Sequence, residues 1–197
     1  MNTQAALARI EAVVIGASAG GVVGLRSLLP ALSGSTRAAV FVVLHLPREY
    51  RSALCEVFAP VCEIHLKEAE DKEPVRRGTV YFAPPDYHML LDRGPDARAQ
   101  IALSVDEPVH FSRPSIDVLF ESAADLYGPR LLGMILTGAS EDGAAGLAAL
   151  KAAGGIAAVQ QPGATYESQM ANAALRRTPV DFVRPLTALA ELLRELK

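Results

Sequence analysis

Apolar residues along this chain come in short β-type runs and in helical spacings that alternate with one another. From Ala12 to Ile15 a β-branched run is followed by Gly16-Ala17-Ser18-Ala19-Gly20-Gly21, then by Val22, Val23, Leu25, Leu28 and Leu29 at helical spacing. That order predicts a strand, a tight turn and a helix. Ala39 to Leu44 is continuously apolar, as in a strand covered on both faces, and it stops at His45-Leu46-Pro47. A helix over Arg51 to Phe58 and a short strand near Ile64 are expected next.

The middle of the chain has a different rhythm. Gly78 to Ala83, His88 to Leu91 and Ile101 to Ser104 read as short strands separated by turn residues, a meander or hairpin inserted into the main sheet or added at its edge. Alternation then resumes with a helix from Pro114, a buried strand from Leu131 to Leu136, a helix from Gly143 to Ala153 and a strand from Ile156 to Val159. Pro185 to Lys197 closes the chain as an amphipathic helix with Leu186, Leu189, Leu192, Leu193 and Leu196 on one face. The prediction is an α/β fold: a doubly wound, mostly parallel sheet with helices on both faces and an antiparallel hairpin or meander in the middle of the chain. Residues 1–10 read as an N-terminal tail and 11–197 as one domain.

Composition narrows the function classes. Half of the 197 residues are hydrophobic, and 19 Lys and Arg stand against 22 Asp and Glu, a net charge of -3. That balance gives no footprint for nucleic acid or an anionic membrane. Arg76-Arg77 and Arg176-Arg177 are short basic pairs that read as solvated surface. Cys55 and Cys62, seven apart, match no metal or redox pattern and read as packing residues in a reducing compartment. No apolar run approaches the roughly 18 residues of a membrane helix, and the N-terminus lacks a signal-peptide pattern, so a cytoplasmic location is expected.

In open parallel sheets ligands bind beyond the carboxyl ends of the strands. Three such ends here carry reactive groups: Ser18 after the first strand, His45 at the end of the second, and Asp142 in Thr137-Gly138-Ala139-Ser140-Glu141-Asp142-Gly143. A hydroxyl, an imidazole and a carboxylate delivered to one rim are the parts of a nucleophilic triad. Gly16-x-Ser18-x-Gly20 also fits a strand-to-helix nucleophile elbow, and the following helix aims free N–H groups at the space over Ser18, suiting a developing oxyanion. Each residue alone has a plainer reading: a turn serine, a strand-end histidine, an aspartate capping the next helix. Accidental placement of all three at separate strand ends is much rarer than any one of them. Two other classes stand beside the enzyme, a dinucleotide-binding module and a non-catalytic interaction domain. Against the first, Ser18 occupies the position of the second glycine of a G-x-G-x-x-G turn, and the second strand ends in His45-Leu46-Pro47 instead of an acid for the ribose.

Taken in order, several segments resemble the catalytic domain of CheB-type chemoreceptor methylesterases. They are Val14 to Gly21, Val43 to Pro47, Tyr81 to Pro85 with His88, Arg113 to Phe120, and Leu136-Thr137-Gly138 with Glu141 to Leu147. The resemblance spans nearly the whole chain. It implies that Ser18 is the nucleophile, His45 its base and Asp142 the orienting acid. The implied substrate is the glutamate γ-methyl ester on the cytoplasmic domain of methylated chemoreceptors, with deamidation of receptor glutamines as a second activity through the same acyl-enzyme. No metal or organic cofactor is expected, and backbone N–H groups of Ala19 and Ala139 are the candidates for the oxyanion hole. The chain departs from the family pattern at Ala19, at Ala139-Ser140 and at Met170-Ala171. With about ten residues ahead of the first strand, the receiver domain usual in the family is expected to be missing, and with it regulation by phosphorylation in cis. His65, His88 and His110 are given no catalytic role. Arg113 is a candidate contact for the substrate or an acidic neighbour, or a brace for the fold, and Ser115 and Asp117 are explained as a helix start.

Overall fold

The computed structural model describes residues 3–46 and 53–196. Pro47, the first two residues of the helix expected from Arg51, and Lys197 lie outside the described residues. Seven strands form one sheet: β1 (Ala12–Ala17), β2 (Ala39–Leu44), β3 (His65–Glu68), β4 (Thr79–Phe82), β7 (Leu131–Ile135), β8 (Ile156–Gln160) and β9 (Phe182–Arg184). Their order is β3-β4-β2-β1-β7-β8-β9, and every neighbouring pair is parallel. The chain builds outward from β1 to one side, then returns to β7 on the other. The strand order therefore reverses between β1 and β7, and the crevice opens there, beyond their carboxyl ends.

Period-two alternation sends the side chains of each central strand to two separate cores. From β1, Val13, Ile15 and Ala17 enter one; from β2, Val40, Val42 and Leu44 join them. This core is covered by α2 (Gly21–Leu28), α3 (Leu54–Phe58) and α7 (Leu186–Arg194), which contribute Leu25, Leu28, Phe58, Leu189 and Leu193. Ala12 and Val14 of β1 with Phe41 and Val43 of β2 face the other way, onto α4 (Ile116–Tyr127), α5 (Ala144–Ala152) and α6 (Gln169–Arg177). Stacked aromatics seal both layers, Phe41 on Tyr81 across neighbouring strands at 5.4 Å and Phe58 of α3 on Phe82 of β4 at 5.8 Å between ring centres. Each aliphatic side chain fully buried in this way contributes about 1.5–3 kcal/mol. Cys55 and Cys62 are free thiols packed at the margin of the first core, and burial pushes both thiol pKa values up.

The doubly wound parallel sheet agrees with expectation, but three details correct it. Thr79–Phe82 belongs to the main sheet between β2 and β3, because all four of its residues are buried and pair in parallel on both sides. Among the described strands only β5 (His88–Arg93) and β6 (Ala99–Ser104) are antiparallel, and they form a separate two-stranded sheet lying on α4. Two elements were not expected, α6 and the half-exposed edge strand β9. The segment read as a tail holds a short helix, α1 (Thr3–Leu7), and buries Leu7 and Ile10 in the first core. Among the described residues no helix is long and apolar enough to cross a membrane.

Candidate active site

Ser18 stands one residue beyond β1, in a turn closed by the Gly21 N–H on the Ser18 carbonyl at 2.8 Å. The turn needs a left-handed residue, supplied by Gly20 at φ +77° immediately before α2. The Ser18 N–H is spent on the Thr137 carbonyl at 2.9 Å, which ties the turn to the end of β7. The N–H groups of Ala19 and Ala139 find no acceptor among the described residues. Ala19 follows β1 and Ala139 follows β7, at the rim where the strand order reverses.

His45 follows β2, and its N–H donates to the Ala17 carbonyl at 3.0 Å, continuing the parallel ladder one step beyond Leu44. Ser18 and His45 thus occupy adjacent positions on neighbouring strands, which run about 4.8 Å apart. The imidazole turns Nε2 toward Asp142, 2.9 Å from Oδ2. A carboxylate acceptor at Nε2 places the proton there, leaving Nδ1 with a lone pair. Ser112 Oγ lies 3.5 Å from Nδ1, at the limit of hydrogen-bond length. No hydrogen bond joins the Ser18 hydroxyl to His45.

Asp142 is fully buried. Besides His45, it accepts from the Ile116 N–H at 2.7 Å, the Asp117 N–H at 3.0 Å and the Ser115 hydroxyl at 2.8 Å. Those donors are the first turn of α4 and its N-cap, so the carboxylate sits on the positive end of a 12-residue helix. Burial alone would raise its pKa. The bonds from His45 and from the N–H groups of Asp117 and Ile116 outweigh burial and hold the carboxyl below its ordinary 3.8.

The arrangement is reciprocal. Asp117, from α4, accepts from the N–H groups of Gly143 at 2.9 Å and Gly146 at 2.6 Å, and so occupies the N-terminus of α5, the helix that follows Asp142. Gly143 is required at the junction, with φ +98° and Ile135 and Ile116 within 2.7 Å of any Cβ added there. Burial pushes the Asp117 carboxyl above 3.8; the Gly146 N–H works against this and the nearby Asp142 charge adds to it. The folded protein therefore retains a proton that the unfolded chain has released, and stability falls as pH rises from 3.8 through the folded value. Asp117→Asn keeps an oxygen for both N–H groups but cannot ionise. Denaturant titrations at pH steps upward from 3.8 are expected to show that fall flattened in the variant.

The remaining sequence candidates separate cleanly. His88 is buried, donating from Nε2 to the Glu107 carbonyl at 3.1 Å and accepting the Ser115 N–H at Nδ1, also at 3.1 Å. Accepting at one nitrogen and donating at the other makes it a neutral structural histidine that holds the start of α4. Arg113 braces the fold: Nε and Nη2 grip Asp86 at 3.0 and 2.8 Å, and Nη1 reaches the Val105 and Asp106 carbonyls. His65 is exposed at the start of edge strand β3, the sheet end opposite this rim. His110 stands 3.5 Å from Asp117, on its exposed side. Met170-Ala171 opens α6, with the Met170 N–H on the Gly138 carbonyl at 2.9 Å and the Glu167 carbonyl on the Gly138 N–H at 2.7 Å.

The helix-start reading of Ser115 and Asp117 missed their part in the site. Ser115 does cap α4, at 3.4 Å from the Val118 N–H, yet the same hydroxyl holds Asp142. A local motif fully explained both residues, so nothing in the sequence pointed further. Ser112 beside His45 gave no sequence signal at all. Among the described residues no cluster of three or more His, Cys, Asp or Glu is placed to hold a metal ion.

Comparison with known proteins agrees with the fold. A Leptospira interrogans protein, provisionally named protein-glutamate methylesterase/protein-glutamine glutaminase, is 42% identical over 92% of this chain and 92% of its own length. The Archaeoglobus fulgidus protein-glutamate methylesterase/protein-glutamine glutaminase is 36% identical over 91% of the chain, which spans 51% of that longer protein. The crystal structure of the Thermotoga maritima CheB methylesterase catalytic domain superposes with a TM-score of 0.89 at 30% identity, covering 95% of this chain and 99% of that one. With residues 13–193 matching the profile of the CheB methylesterase family, the chain belongs to that family.

Proposed function

We propose that this chain is a serine hydrolase that removes the methyl group from glutamate γ-methyl esters on chemoreceptors through an acyl-serine intermediate. The observation that carries the reading is the His45–Asp142 pair, 2.9 Å long, built on a helix N-terminus and standing one strand from Ser18. Asp142 holds the imidazole proton at Nε2, so Nδ1 receives the Ser18 proton as the hydroxyl oxygen attacks the ester carbonyl. Catalytic hydrogen bonds of this kind commonly tighten only around substrate, which accommodates the absence of a Ser18–His45 bond. The Ala19 and Ala139 N–H groups receive the charge that develops on the carbonyl oxygen.

Protonated His45 then gives its proton to the departing methoxide, and methanol leaves. Water deprotonated by Nδ1 attacks the acyl-serine and frees the glutamate carboxylate. The same sequence on a glutamine side chain expels ammonia, consistent with the double names of the relatives. The dinucleotide reading finds no support, because the position after β2 that would bind a ribose holds an imidazole already bonded to a buried acid. The test is methanol release from methylated receptor preparations, together with labelling by a fluorophosphonate probe. Release and a label on Ser18 are expected; a protein that binds NAD and takes no label would overturn the reading.

A further inference from the structure

Between β6 and α4 the chain makes a tight turn that presents a single aromatic ring to solvent. Val109 and Ser112 bond to each other in both directions, at 3.1 and 2.8 Å, with His110 and Phe111 between them. Both central residues have positive φ, +48° and +60°. This geometry belongs to two-residue turns that favour Asn-Gly, and an imidazole and a phenyl ring fit it poorly. Phe111 gains nothing from its neighbours in return, since its relative exposure is 100%.

The turn is nevertheless firmly rooted in the site. Ser112, the next residue, touches His45; Arg113 is clamped to Asp86 and two carbonyls; Ser115 holds Asp142. Three further large side chains are exposed on segments fixed to the same rim. Tyr87 lies between the Arg113 partner Asp86 and His88, Val105 lends its carbonyl to Arg113, and Tyr166 adjoins the Glu167 carbonyl that caps Gly138. Scattered apolar residues are ordinary on a protein surface. A wholly exposed phenyl ring on a strained turn anchored to the catalytic histidine is not.

We propose that Phe111 is the docking anchor for the protein substrate, inserting into an apolar crevice beside the esterified glutamate and so presenting that ester to Ser18. The proposal rests on the protein-ester reading above. An anchor of this kind adds affinity for the whole protein and nothing for a small ester, because a ring seated in a partner crevice carries a large share of binding while its exposed neighbours carry little.

The test compares methanol release from methylated receptor preparations with turnover of p-nitrophenyl acetate, for the wild-type protein, Phe111→Asn and Phe111→Trp. Asparagine is at ease at positive φ, so it removes the ring while keeping the turn. The expected result is a KM for receptor raised about tenfold or more in Phe111→Asn, a comparable fall in the ratio of receptor to small-ester kcat/KM, and recovery in Phe111→Trp. An unchanged ratio in Phe111→Asn, whether both activities hold or both fall, overturns the anchor. A wild-type protein that turns over the small ester but releases no methanol from receptor takes down the protein-ester reading itself, and the anchor with it.

Discussion

Ser18→Ala is expected to lower receptor-ester turnover by at least ~10⁴-fold, the scale of loss when one member of a triad is removed. The same change leaves the fold intact. The side chain is half-buried, its hydroxyl makes no hydrogen bond among the described residues, and the turn is held by backbone bonds at Ser18 N–H and Gly21 N–H that alanine preserves. A thermal melt within the ordinary scatter of surface substitutions, about 0.5 kcal/mol, should accompany the loss of activity. Ser112→Ala is the necessary companion, because its hydroxyl is the one seen near His45 Nδ1. If that variant loses turnover on the same scale while Ser18→Ala retains it, the nucleophile is Ser112 and the mechanism above is wrong.

Asp142→Asn combines two large effects. With a neutral amide at this position the imidazole is no longer held in the tautomer that leaves Nδ1 basic, and turnover is expected to fall by about 10⁴-fold, as in other triads altered this way. Unlike Ser18→Ala, this variant also destabilises the protein. Asp142 accepts from His45, Ser115, Ile116 and Asp117, and the amide nitrogen of asparagine faces donors with a donor. The expected cost is roughly 3 kcal/mol, the lower end of the range for breaking a buried pair, read as a fall in the denaturation midpoint. Because the folded carboxyl lies below 3.8, its stabilisation is fully present above that pH and is lost as pH falls through the folded value. The variant should therefore shed part of the acid sensitivity that wild type shows below pH 3.8. Asp117 acts in the window above 3.8 with opposite sign, so the two carboxylates are separable in one pH series.

Much of this molecule was readable from the chain alone, for identifiable reasons. Fully buried strands such as Ala39–Leu44 announce themselves as unbroken apolar runs, and a parallel sheet delivers whatever follows them to one rim. Ser18, His45 and Asp142 stood out as candidates because each follows such a run. What escaped notice was either weakly patterned or already explained. Residues 169–177 form α6, whose core face is Met170, small alanines and a partly buried Leu175, little apolar bulk to show as a stripe. Strand β9 is three residues long and half-exposed. Thr79–Phe82 is a short apolar run close in sequence to the hairpin, and its burial on both faces is what separates it from those strands. Ser115 and Asp117 were hidden by a sufficient local account, since a residue that caps its own helix gives no outward sign of serving a loop some 25 positions away.

The crossed seating of Asp142 on α4 and Asp117 on α5 makes two stretches of chain, 112–118 and 137–147, a single graftable part. Moving the acid into another scaffold without its counterpart would leave one helix with bare amides and the other carboxylate stranded. Natural drift faces the same restriction. A one-residue insertion at the front of either helix rotates its leading amides by about 100° and breaks both contacts, so such changes are tolerated only when both stretches shift together.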